Sequence, residues 1–171
     1  MGTLTVDNLN LKGAGSVSSV GRILQIVQTA KTDTFSTTST SFTDVTGFSA
    51  TITPSSTSSK VLVMVSSNSS TSGGNNAIMK LVRGSTDVFV GDDDSASREE
   101  ATAQTRVNDT NAALTLTFNF LDSPSTTSAT TYKLQYKVQA GTGTINQTQA
   151  DSNSATLART ASSIILVEVR G

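Results

Sequence analysis

The stretch Ala161-Ser162-Ser163-Ile164-Ile165-Leu166-Val167-Glu168-Val169-Arg170-Gly171 at the end of the chain decides the fold class. Side chains alternate between the two sides of a strand, so Ile165, Val167 and Val169 face one way, and Ile164, Leu166 and Glu168 face the other. A strand whose outer side meets water shows one polar face. This strand is apolar on nearly both faces, which predicts either a central strand of the chain's own core or a face covered by another subunit.

From Gly21 onward the chain consists of similar short apolar runs separated by clusters of Ser, Thr and Gly. None of the runs has the helical period, which is near 3.6 residues, whereas residues 114–120 and 132–139 alternate with the period of a strand. About eight to ten strands at this spacing predict an all-β antiparallel sandwich, a jelly roll, over residues 21–171. The longest loops are predicted at residues 66–76 and 91–111.

Residues 1–20 are predicted to be a separate element. Leu4, Val6 and Leu9 alternate with polar residues as in a short strand, and a flexible joint follows at residues 12–16. A lone short strand is not stable by itself and needs a partner. We therefore predict an attachment segment in which Leu4, Val6 and Leu9 dock on another protein.

The composition excludes several classes of function. The chain has 171 residues, a net charge of −1 and no cluster of Lys and Arg, so we expect no nucleic-acid partner. No apolar run approaches the length that crosses a bilayer, so we expect no membrane insertion. The chain has no His and no Cys, which excludes imidazole-ligated zinc, Ser-His-Asp triads and a disulfide framework. We expect no enzymatic activity and no cofactor.

Several blocks resemble, in the same order, a domain common in virion proteins of tailed phages, notably marine and cyanobacterial ones. The first block is Gly21-Arg22-Ile23-Leu24-Gln25-Ile26-Val27-Gln28-Thr29, and the others are residues 32–36, 41–47, 52–63, 81–84, 119–124 and 159–164. Residues 3–9 are similar to attachment segments at the start of phage fibre proteins. The resemblance covers roughly residues 21–171 and implies a fibre-like structural protein of the virion, usually a homotrimer with a C1q/TNF-like jelly roll. It implies no catalytic residues, and it implies that residues 1–20 dock on other virion proteins.

The subunit contact is predicted on the strands that are apolar on both faces. A two-layer sandwich buries only one face of each sheet, and the apolar remainder is larger than monomers usually leave in water. We predict the oligomer interface at Leu62, Met64, Ile164 and Leu166. The number of three subunits follows from the resemblance.

One of the two longest loops, residues 66–76 or residues 91–111, is predicted to be the surface that meets the host, and the receptor-facing residues are predicted in the acidic part of the second. Binding residues lie disproportionately on loops held by a rigid scaffold, so we expect this loop to contact a host glycan or protein. Its spacing of carboxylates does not match an EF-hand, which favours a solvated acidic loop over a metal site. The predicted receptor-facing residues are Asp92, Asp93, Asp94, Arg98, Glu99 and Glu100.

Two other functions stay open beside the fibre. One is a sugar-binding adhesin or lectin module, because Tyr132, Tyr136 and Phe89 are aromatic groups that could stack on sugars. The two tyrosines lie on the apolar side of an alternating strand, which favours the core instead. The other is a capsid decoration protein that stabilises the head of the particle.

Overall fold

The computed structural model describes residues 21–92 and 97–171, and this part of the chain is a sandwich of two antiparallel sheets. The strands are β1 (Ile23–Lys31), β2 (Phe35–Thr37), β3 (Thr43–Ile52), β4 (Lys60–Thr71), β5 (Asn76–Arg83), β6 (Thr86–Val88), β7 (Ala103–Arg106), β8 (Leu114–Asp122), β9 (Thr130–Val138), β10 (Gly143–Ile145) and β11 (Ser162–Val169). The described residues contain no α-helix.

The strand order is that of a jelly roll. Sheet A has the order β1-β11-β4-β8, and β10 and β2 continue it beside the far end of β4. Sheet B has the order β3-β9-β5, and the short strands β6 and β7 pair with the two ends of β5. Along the chain the seven described strands of eight or more residues alternate between the sheets, as in two interlocked Greek keys; they are β1, β3, β4, β5, β8, β9 and β11. The prediction of an all-β antiparallel sandwich is confirmed.

The core lies between the two sheets and follows the alternation read from the sequence. In β4 the inward residues Val61, Val63 and Val65 are buried, and in β9 Tyr132 and Leu134 are buried as well. The residues between them face outward and are partly exposed. Each sheet therefore contributes one apolar face to a single core. The alternation makes this possible, because it places the apolar side chains of a strand on one face of the sheet.

The predicted loop over residues 66–76 is wrong in its first half, because β4 continues to Thr71. Ser67 and Ser69 are completely buried on the core side, and the Ser69 hydroxyl lies 2.8 Å from the hydroxyl of Tyr136. The Thr71 hydroxyl accepts a hydrogen bond of 3.0 Å from the backbone N–H of Val107. The hydroxyls of Ser69 and Thr71 have partners across the core, so the strand extends where composition predicts a loop, whereas the buried Ser67 hydroxyl has no hydrogen-bond partner among the described residues. The turn occupies only Ser72–Gly74.

The strand β7 lies inside the predicted 91–111 loop. Its four residues show no apolar alternation, so the sequence carries no local signal for a strand here. The strand forms because it pairs with β5, where Ala77 lies opposite Thr105 and Met79 opposite Ala103. Pairing with an existing strand, rather than local propensity, decides the structure of this segment.

Candidate subunit interface

The outer face of sheet A carries apolar side chains in two rows that run across the strands. In the first row Ile26 lies opposite Val167. Val167 lies opposite Leu62, and Leu62 lies opposite Leu121. In the second row Ile165 lies opposite Met64. These six residues are called the outer-face patch below: Ile26, Leu62, Met64, Leu121, Ile165 and Val167.

The outer-face patch is open to solvent at both sides of the sheet. Ile26 is 63% exposed and Leu121 is 50% exposed, and Leu62 and Met64 between them are half-buried. The outer face becomes polar farther along the strands, where Ser163 lies opposite Ser66. An apolar patch with a polar border is a candidate contact surface.

Two of the four predicted interface residues lie elsewhere. Ile164 and Leu166 are 1% and 0% exposed and belong to the core between the sheets. Leu62 and Met64 lie in the outer-face patch. The prediction for Ile164 and Leu166 is therefore corrected, because a side chain enclosed by its own chain cannot contact a second one. Ile165 and Val167 lie on the outer face instead; Ile165 is half-buried, whereas Val167 is only 6% exposed and offers little free surface.

The predicted receptor-facing residues are only partly brought together. Asp93 and Asp94 lie outside the described residues, as do the predicted docking residues Leu4, Val6 and Leu9. Asp92 and Arg98 are exposed, whereas Glu99 forms an ion pair with Lys137 of β9. Glu100 is half-buried. The loop thus lies against sheet B at Glu99, and its contact with a host stays a prediction.

Glu168 is a buried carboxylate on the core side of β11. Its Oε1 accepts hydrogen bonds from the backbone N–H and the hydroxyl of Ser55, at 2.7 and 2.6 Å. Its Oε2 accepts one of 2.6 Å from the side-chain amide of Gln25. Burial alone raises the pKa of Glu168, but the hydrogen bonds from Ser55 and Gln25 outweigh it and lower that pKa to about 2. The carboxylate ties the segment after β3 to β11 and β1.

A second buried carboxylate, Asp122, joins the two sheets. Arg83 Nη1 donates to both of its oxygens, at 2.8 and 2.7 Å. The hydroxyl of Tyr132 donates to Oδ2 at 2.6 Å. Burial raises the pKa of the Tyr132 hydroxyl, and the hydrogen bond to Asp122 raises it further. Because the three side chains bond one another across the sandwich, this cluster stabilises the fold.

Other candidate sites receive little support from the described residues. No group of three or more His, Cys, Asp or Glu residues within 21–92 and 97–171 is placed to hold a metal ion. No helix in that part of the chain is long and apolar enough to cross a membrane. Tyr132 and Tyr136 are completely buried, as their alternation predicted, while Phe89 is 43% exposed.

The fold and this surface define a jelly-roll protein with an apolar outer sheet face. No protein-family model matches the sequence, and no curated protein matches it. Among solved structures the chain is similar to a protein of T=1 particles derived from infectious bursal virus, with 17% identity and a TM-score of 0.46 over 98% of this chain and 41% of that chain. It is also similar to a protein of the infectious bursal disease virus Gx strain, with 17% identity and a TM-score of 0.43 over 96% of this chain and 42% of that chain. The chain spans about two fifths of the length of these proteins. At these identities and TM-scores the likeness carries no argument about function.

Proposed function

We propose that this chain is a non-enzymatic structural protein of a virus particle, and that it assembles as a homo-oligomer through the outer-face patch. The observation that carries the proposal is the patch itself, in which Ile26 and Leu121 are at least half exposed on a regular sheet. The resemblance of the ordered sequence blocks to tailed-phage virion proteins supports the part of the proposal that places the chain in a virus particle. It also supplies the number of three subunits and the fibre-like role.

Burial of the outer-face patch supplies enough free energy for assembly. Removing apolar surface from water is worth about 25 cal/mol per Å², so about 400 Å² per chain contributes on the order of 10 kcal/mol before the costs of association. A cyclic assembly covers the same patch on every subunit and leaves no open end. A closed homotrimer meets both conditions.

Charging the outer-face patch is expected to dissociate the oligomer. Ile26→Lys combined with Leu62→Lys places two cations in the patch, and their long side chains can still reach water in the monomer. We expect the wild type to sediment as an oligomer at micromolar concentration and the double variant to sediment as a folded monomer.

Leu114→Lys is the matched control for this experiment. Leu114 is 46% exposed, but it lies opposite the core-facing Ser69 and therefore outside the patch. This variant should sediment like the wild type. A wild type that is monomeric at micromolar concentration contradicts the proposed oligomer directly.

Residues 1–20 are proposed to dock the protein on the rest of the particle. The sandwich closes at Gly21, whose N–H donates a hydrogen bond of 2.8 Å to the carbonyl oxygen of Arg170. Deletion of residues 1–20 should therefore leave residues 21–171 folded while incorporation into particles is lost. Circular dichroism and the protein content of purified particles measure the two effects. A truncated chain that unfolds, or one that still incorporates, contradicts the docking role.

The loop that carries Asp92, Arg98, Glu99 and Glu100 is proposed to face a host glycan or protein. Its position between β6 and β7, at one side of the sandwich, supports an exposed role. Particles in which residues 92–100 are replaced by a Gly/Ser linker should adsorb less to the host and assemble normally. Normal adsorption of such particles contradicts this part of the proposal.

A further inference from the structure

The open edges of the two sheets differ in how well they are protected against pairing with another chain. A free strand edge offers unpaired N–H and C=O groups, and proteins blunt such edges with bulges, short strands or charges. The edge strand β1 has an irregular register between Ile23 and Gln25, and β3 has one between Asp44 and Ser49. The edge of sheet B at β6 and β7 has strands of only three and four residues.

The edge strand β8 has none of these protections. Its nine residues pair with β4 in an unbroken register. Among the described strands β4 is its single partner, and outside the strand ladders no backbone–backbone hydrogen bond of the described residues involves residues 114–122. Its sequence Leu-Thr-Leu-Thr-Phe-Asn-Phe-Leu-Asp contains no Pro and no Gly. Its one charged residue, Asp122, is buried and bonded to Arg83 and Tyr132.

The core side of β8 is shielded while its edge is not. Phe89 has a φ of 53°, which is a costly left-handed conformation for an aromatic residue. Its ring stacks on Phe120 at a centroid distance of 5.1 Å and lies 6.3 Å from Phe118. The ring thus covers the inward side chains of β8 and leaves the backbone edge and the outer residues Thr117 and Asn119 accessible, both of which are exposed.

We propose that β8 pairs antiparallel with β8 of a second copy, about a two-fold axis through Phe118 and normal to the sheet. This register pairs all nine residues and keeps the outer faces of the two sheets on the same side. It places Thr117 opposite Asn119 of the second copy, Leu116 opposite Phe120, and Phe118 opposite itself. The five central residues then pair polar with polar and apolar with apolar, which is the favourable arrangement for cross-strand neighbours, whereas at the two ends Thr115 lies opposite Leu121 and Leu114 opposite Asp122.

The partner is a second copy rather than a different protein for two reasons. The central residues 116–120 pair like with like in the antiparallel register, and the one charged residue of the strand, Asp122, is already bonded within the chain and does not attract a charged partner. The contact is smaller than the roughly 800 Å² per partner of a stable interface, so it forms a weak dimer on its own. In an oligomer held together by the outer-face patch, several β8 edges belong to one particle, so several edge contacts can form at once and bind more tightly than one contact alone. The edge contact uses the backbone edge of β8 and shares only Leu121 with the outer-face patch, so it does not depend on the proposed oligomer.

Disulfide trapping tests the register directly, because the chain has no Cys of its own. Thr117→Cys and Asn119→Cys are prepared as two separate full-length variants. Opposite residues in an antiparallel pair have Cα atoms about 4.5–5.5 Å apart, which a disulfide spans. The diagonal neighbours are about 7–8 Å apart and fit poorly. We expect an oxidised mixture of the two variants to yield several-fold more cross-linked dimer than either variant alone. Equal cross-linking in the mixture and in the single variants, or none in any of them, overturns the proposal.

Charge pairs at the same positions provide a reversible measurement. Thr117→Lys with Asn119→Lys places like charges opposite each other twice in the dimer, whereas Thr117→Lys with Asn119→Asp places opposite charges there. Both variants are made in the Ile26→Lys and Leu62→Lys background, so that the outer-face contact does not contribute. We expect the weak dimer, which forms in this background only above micromolar concentration, to be lost in the first variant and retained in the second, by light scattering across a concentration series that extends above the micromolar range. Equal association of the two overturns the edge contact, whereas failure of the outer-face oligomer alone leaves both measurements unaffected.

Discussion

A Leu166→Asp variant is expected to fail to fold. Leu166 is 0% exposed and lies between Val27 of β1 and Val63 of β4 in the core. Loss of the buried leucine costs about 2–5 kcal/mol, and an unpaired carboxylate in the core adds several kcal/mol more. The sum approaches the whole stability of a typical domain, which is roughly 5–15 kcal/mol.

Ile165→Asp is the matched control, one residue along the same strand. Ile165 is half-buried on the outer face, where a new carboxylate meets water in the monomer. We expect this variant to show the β-sheet circular dichroism spectrum and a cooperative thermal transition, with weaker self-association. A folded Leu166→Asp variant that has merely lost its oligomer contradicts the assignment of Leu166 to the core.

Loss of the Glu168 carboxylate is expected to destabilise the fold at neutral pH and to flatten its acid unfolding profile. Hydrogen bonds to a charged group are worth about 1.5–3 kcal/mol each, so Glu168→Ala is expected to cost about 3 kcal/mol or more at pH 7. The folded-state pKa of about 2 lies below the ordinary value of 4.5. The wild type therefore holds this stabilisation fully above pH 4.5 and loses it as the pH falls from 4.5 towards 2. Urea unfolding at several pH values measures the effect, and Glu168→Gln should lose this part of the pH dependence.

Asp44→Asn is the control for the acid experiment. The hydrogen bond from Lys133 also lowers the pKa of Asp44, and one from Gln135 adds to it, but this carboxylate lies at the surface. Solvent screens an exposed ion pair, so its removal should change the unfolding free energy little at any pH. Equal losses in Asp44→Asn and Glu168→Gln between pH 4.5 and 3 contradict the special role of the buried group.

The strands with regular alternation were the predictable part of the fold. Residues 114–120 and 132–138 alternate so regularly that local sequence defines both the strand and its inward side. The serine-rich end of β4 and the polar strand β7 were missed, because partners far along the chain stabilise them. The Ser69 hydroxyl forms a hydrogen bond with the hydroxyl of Tyr136, and Thr105 pairs with Ala77 of β5.

The candidate interface was predictable as a property of the strands but not as a set of residues. The apolar character of β11 on both faces showed that one face was left over for a contact. It did not show which face, so Ile164 and Leu166 were chosen in place of Ile165 and Val167. The charge of Glu168, which shares a side with Ile164 and Leu166, indicated that this side faces water, because a glutamate is rarely buried without partners. Only the structure shows that bonds from Ser55 and Gln25 allow this side to face inward.

By itself, the sequence determined the all-β class and the antiparallel sandwich, and it predicted a surplus of apolar residues outside the core. These features follow from the alternation of apolar and polar residues with a period of two, because this alternation is a property of each strand by itself and does not depend on the other strands. The tertiary structure alone decided which face of β11 is inside, where β4 ends, and that β8 forms an unprotected edge. These depend on strand order and on hydrogen bonds between residues far apart in the chain, such as Ser55 with Glu168. A local pattern carries no information about such distant partners.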